Sequence, residues 1–73
     1  MELYKWHKGN ELPDRECDCV VISQDKRTEK TIKEICQYKK TQFGKIFIDH
    51  YGYHVPQTCI LFYMPIEFPK GVE

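Results

Sequence analysis

No run of about eighteen apolar residues occurs in this 73-residue chain, so the sequence predicts no membrane-spanning helix. The four glycines stand singly, which leaves no Gly-rich loop to cradle a phosphate. Charge of one sign is lacking as well. Eleven basic and eleven acidic residues are intermixed and sum to zero, so the whole-molecule field gives no pull toward nucleic acid or an anionic membrane. Internal repeats, low-complexity tracts and linkers are absent, and one domain spanning residues 1–73 is expected. The opening "MELYKWHKGNELP" carries no apolar stretch of the secretory type, so the expectation is a cytoplasmic protein with its four cysteines reduced.

What is present is enough for a core. The hydrophobic fraction is 41%, with one Trp, five Tyr and four Phe. Each buried aromatic removes roughly 150–250 Å² from water, so a handful can organise a small interior. A chain this short still buries only about 60% of its unfolded surface, which favours self-association.

Turn residues divide the chain. Gly9-Asn10 and Pro13-Asp14 make the first sixteen residues an irregular arm, with Trp6 and Leu12 as its anchors to the core. "CDCVVIS" (residues 17–23) alternates and then becomes continuously apolar, as a strand does. Residues 28–40 fit two templates. Ile32, Ile35 and Cys36 have helical spacing, whereas Ile32, Cys36 and Tyr38 suit a strand; length and turn flanks favour the strand. Residues 45–49 form a short strand, and Gly52 and Pro56 make residues 50–58 a loop. "CILFYM" (residues 59–64) is the last strand, with Ile60, Phe62 and Met64 on one face and Leu61 and Tyr63 on the other. The fold class expected is mainly β, or small α+β if residues 28–40 are helical. The architecture is a four-stranded antiparallel meander or half-barrel. An apolar two-sided strand needs cover on both faces, which points to the arm or to a homodimer.

Several constellations carry possible chemistry. Cys17, Cys19, Cys36, Cys59, His7, His50 and His54 supply enough soft ligands for zinc, but no thiol pair has the two-residue spacing of a structural site. Buried strand cysteines are the plainer reading, and no metal or other cofactor is expected. Cys59, His54 and Asp49 form a nucleophile–base–orienter triple on paper, and Asp14, Glu16 and Asp18 read as a solvated edge. No catalytic residue is assigned, and a non-enzymatic protein is expected. "DKRTEKTIK" and "YKKTQFGK" are basic, the second flanked by Tyr38 and Phe43, and give a nucleic-acid alternative. In "DHYGYHVPQ", His50, Tyr51, Tyr53 and His54 on a Gly/Pro loop are the candidate contact residues. The bland alternative is a tyrosine folded back over the sheet edge.

Two motifs add up to a resemblance. Trp6, Leu12, Pro13 and Asp14, followed by Cys19-Val20-Val21-Ile22, resemble the opening of a family of short phage and bacterial proteins of unknown function. Its members begin with Trp, then Leu-Pro-Glu, then Val-Leu-Val, and end in Val-Thr-His-Trp-Met-Pro-Leu-Pro. Here Tyr63-Met64-Pro65 follows that ending, with Phe62 in place of His, Tyr63 in place of Trp, and Glu67 in place of Pro. The resemblance implies a small, mostly β intracellular protein from a phage, prophage or mobile-element setting. In it Tyr63, Met64 and Pro65 are structural anchors packed against the arm, with Pro65 ending the strand. The function expected is binding of a host or phage protein, or capture of a small ligand, with zinc and nucleic-acid binding as alternatives.

Overall fold

The computed structural model describes residues 3–67. Among them the chain forms six strands and no α-helix. The strands are β1 (His7–Lys8), β2 (Cys17–Gln24), β3 (Thr31–Thr41), β4 (Gly44–Ile48), β5 (His54–Val55) and β6 (Ile60–Ile66), with a 3-10 turn at Gln57–Cys59. They make one open antiparallel sheet in the order β1-β6-β2-β3-β4-β5.

The mainly β expectation holds, but the four-stranded meander is corrected. β2 to β5 do follow one another across the sheet. The last strand instead returns to the far side of β2, and the arm supplies a further strand, β1, beside it. The physical reason is edge satisfaction: beside β2 the β6 backbone pairs along both edges, with β2 on one and the arm on the other, and Tyr63 reaches the Phe47 ring.

β3 is a strand throughout its eleven residues. Burial decides against helical spacing: Cys36 and Tyr38 are buried, while Ile32 and Ile35 are about half exposed on opposite faces. Tyr38 earns its inward position by meeting Phe47, with ring centroids 4.8 Å apart.

The turns follow from short polar side chains. The Asp25 carboxylate accepts the Arg27 amide at 2.8 Å, and the Asp25 carbonyl accepts the Glu29 amide at 2.7 Å. The Thr41 hydroxyl donates to the Gly44 carbonyl at 2.9 Å, and Gly44 takes φ 95° to close the β3–β4 hairpin. Asp49 organises the next loop by accepting the amides of Tyr51 and Tyr53, both at 2.9 Å.

One face of the sheet holds the core: Cys19, Val21, Cys36, Tyr38, Phe47, Val55, Ile60 and Tyr63. Phe47 on β4 and Tyr63 on β6 are separated by two intervening strands and by four residues of register, about 19 Å in a flat sheet. Their ring centroids are 5.6 Å apart, so the sheet is strongly curled and this face is concave. His7 completes the ladder by stacking on Tyr63 at 5.3 Å.

Two expectations for β6 need correction. The register slips between Ile22/Ser23 and Phe62/Ile60, leaving Leu61 as an extra, bulged residue. Ile60 therefore joins Tyr63 and Pro65 inside, opposite Phe62 and Met64. Pro65 does not end the strand, since it pairs with Cys19 and β6 continues to Ile66. Its carbonyl accepts the Tyr4 amide at 2.8 Å, so the nitrogen that lacks a hydrogen also faces the arm, and the ladder to β2 loses nothing.

Trp6 and Leu12 are corrected as core anchors, being 47% and 57% exposed. His7 is the inward residue of β1, and alternation turns Trp6 outward. The arm is held instead by His7, by buried Pro13, and by Gly9, whose amide donates to the Leu61 carbonyl at 2.9 Å. Glycine is required there, because a Cβ would overlap the Ile60 carbonyl.

Candidate interaction surface

The convex face opposite the core is unusual in its composition. Alternation along β2 places Asp18, Val20 and Ile22 on it, and cross-strand register fixes their neighbours. Val20 lies between Met64 on β6 and Ile35 on β3. Ile22 lies between Phe62 and Lys33, and Asp18 lies between Ile66 and Gln37. Across Gln37, Ile48 extends the face onto β4. The centre of three adjacent strands is thus apolar at Val20, Ile22, Ile35, Phe62, Met64 and Ile66. Phe62 and Ile35 are 45% and 47% exposed, the others half-buried. Apolar side chains cover one another laterally, but among the described residues no second layer lies over them.

The expected contact loop is on the surface. Tyr51 and Tyr53 are 75% and 70% exposed, so neither folds back over the sheet edge. His50 packs on Tyr51 with centroids 3.9 Å apart. His54 is exposed on β5, paired with Ile48. The loop therefore brings His50 and Tyr51 together, and its start lines one groove with Lys33, Glu34 and Ile35. The convex face was the functional candidate that loop chemistry did not reveal. Its signal in the sequence was the two-sided apolarity of β2 and β6.

The thiols behave as core residues. Cys17 and Cys19 point to the concave face with their Sγ atoms 3.5 Å apart, and Cys36 sits across from Cys19 on β3. Burial raises the Cys17 thiol, raises Cys19 further, and pushes Cys36 up to about 12 from the usual 9.0. Glu34 and Asp49 add to the rise at Cys36 through their negative charge. A thiol that keeps its proton is a poor nucleophile and a poor metal ligand. Cys59 is apart, in the 3-10 turn. Among the described residues no three His, Cys, Asp or Glu side chains are grouped to hold a metal ion. Asp49 spends one carboxylate oxygen on two loop amides, while His54 and Cys59 share a groove that Asp49 does not line. Burial likewise pushes the Tyr63 phenol up to about 12, the Glu11 charge adding to it, and raises Tyr38. Tyr38 is a core residue, so the aromatic flank expected for the second basic stretch reduces to Phe43, which is 78% exposed in the hairpin turn.

No family model matches this chain, and neither a curated protein nor a solved structure matches it.

Proposed function

We propose that this chain is a non-catalytic interaction protein, acting by surface complementarity in the phage or mobile-element setting that its terminal motifs imply. Its contact surface is the convex face of the sheet. The observation that carries this reading is the uncovered apolar patch centred on Val20, Ile35 and Met64. The burial of Cys19 and Cys36 supports it, since it makes them small interior residues whose thiols keep their protons. The face suits a host or phage protein, or a second copy in a homodimer; a convex apolar patch suits a small ligand less well.

The test uses the protein as bait in the cells that produce it, together with sedimentation at tens of micromolar. Bait carrying Val20→Lys and Met64→Lys should lose the partner, or the self-association, that wild type shows, and Lys45→Ala bait should keep it. Equal retention by all three, or a wild type that is monomeric and partnerless, would overturn the reading.

A further inference from the structure

β3 is longer than the strand beside it. β2 pairs with it from Thr31 to Tyr38, but β4 covers only Gln37–Thr41. Between Thr31 and Cys36 no described strand meets the outer edge of β3. Hairpin geometry tells which backbone groups face that way. Thr41 and Gly44 close the two-residue turn as a hydrogen-bonded pair, so odd-numbered residues of β3 direct N–H and C=O toward β4. The even-numbered Lys40 agrees, since its amide points the other way, to the Glu16 carboxylate at 3.1 Å. Lys33 and Ile35 therefore present their main-chain donors and acceptors outward.

A second observation concerns the side chains. Ile32 is 51% exposed and Ile35 is 47% exposed, one on each face of this edge. An edge meant only for water has no use for apolar side chains above and below it. Alongside runs an open groove of about 850 Å³, lined by Lys33, Glu34, Ile35, Ile48, Asp49 and His50 among others.

We propose that the edge of β3 from Thr31 to Ile35 is a docking site for an extended segment of another protein, which adds to the sheet as an antiparallel strand. This edge borders the convex face and shares the Lys33 and Ile35 side chains with it, but its attachment is through main-chain groups of β3 and does not depend on the role of that face. Main-chain hydrogen bonds supply the attachment, and alternate side chains supply selectivity. Charge decides the occupant. In a two-fold pairing of two copies, odd residues must oppose odd residues. A register centred on Lys33 sets Lys33 against its own copy, and one centred on Glu34 sets the two Glu34 side chains opposite each other. Centring on Ile32 overlaps just three strand residues, and moving past Glu34 runs into the part of β3 held by β4. A foreign strand has no such conflict. It fits with an acidic residue opposite Lys33, a basic one opposite Glu34, and apolar ones opposite Ile32 and Ile35. The two charges that refuse a second copy select this partner.

The test is an amide NMR titration of the ¹⁵N-labelled chain with a capped pentapeptide, Val-Lys-Glu-Val-Thr, whose antiparallel order matches Ile35 to Thr31. The expected result is shifts centred on the Lys33 and Ile35 amides, with the charge-swapped peptide Val-Glu-Lys-Val-Thr binding about tenfold more weakly. The preference should invert in the K33E/E34K variant, and in K33E alone it should shrink to near equality. Absence of shifts at Lys33 and Ile35 with either peptide at millimolar concentration would overturn the proposal. So would equal binding of both peptides, or shifts of those amides that track protein concentration without peptide while Val20 and Met64 stay unmoved, which would make a second copy the occupant of the edge.

Discussion

The two faces of this sheet draw on similar side chains and differ in what covers them. On β2, Val21 is fully buried against the concave core, while its neighbour Val20 lies on the convex face and stays partly open. The concave face is sealed by curvature: Tyr63, Phe47 and Tyr38 converge from three strands and close over the small residues Cys19 and Cys36. The convex face diverges for the same reason, so its side chains splay apart and cannot cover themselves. In a sheet of this size, one curl can make only one core. Apolar residues on the other face are then stability forgone unless something docks there, and that is the physical basis for reading it as a contact surface.

The comparison breaks most severely at Tyr63, which touches both His7 and Phe47. Tyr63→Ala should cost about 3–5 kcal/mol in urea unfolding, enough to leave so small a chain largely unfolded. Val21→Ala should cost about 2–3 kcal/mol, from two lost buried carbons plus the cavity they leave. The same change at Val20 should cost under about 1 kcal/mol, because its surface is only partly removed from water. Gly9→Ala tests the arm. The new methyl meets the Ile60 carbonyl, so the arm must lift, and a loss of about 1–3 kcal/mol with loss of amide protection at Gly9 is expected.

A gentler comparison uses the thiols. Cys19 and Cys36 titrate higher in the folded chain than in an unfolded one, so the folded state binds more protons in that range. Their contribution is fully present below the unfolded thiol value near 9.0 and is lost as pH rises toward about 12. Stability should therefore fall with pH across that window. A chromogenic disulfide reagent at neutral pH should label half-buried Cys17 and Cys59 first, and Cys19 and Cys36 at the rate of unfolding. Replacing both buried thiols with Ala should abolish their share of the pH dependence.

Much of the sheet was legible in the residues. Alternation in "CDCVVIS" and Gly44 at its turn mark β2 and β4 by elementary periodicity, whereas the loop expected at residues 50–58 contains the short strand β5. Tyr38 and Cys36 inside β3 follow from the same rule. The place of β6 did not follow, because two-sided apolarity concerns the faces of a strand and says nothing about which strands pair along its edges. Leu61 is the sharpest case. A single bulged residue shifts the period, so Ile60 changes face, and nothing local in "CILFYM" signals the slip. Trp6 misled through its size, since a large aromatic is a natural core candidate, yet the backbone alternation set by His7 turned it out. Gly9 looked like punctuation and is a close approach. For the site, the His50–Tyr51 pair was legible as a surface loop. The second apolar face of β6 was legible as two-sided apolarity, but its extent across three strands and the free edge of β3 were not, because they arise from strand order and from unequal strand lengths.

The most direct measurement is the thermal unfolding of the Val20→Lys, Met64→Lys double variant beside wild type, with sedimentation of both. If the convex face is a contact surface, the isolated variant monomer should unfold within a few degrees of the wild-type monomer, while the wild type's association or partner retention disappears. Unfolding of the variant as complete as that of Tyr63→Ala would show that the face is core after all, and would contradict the account.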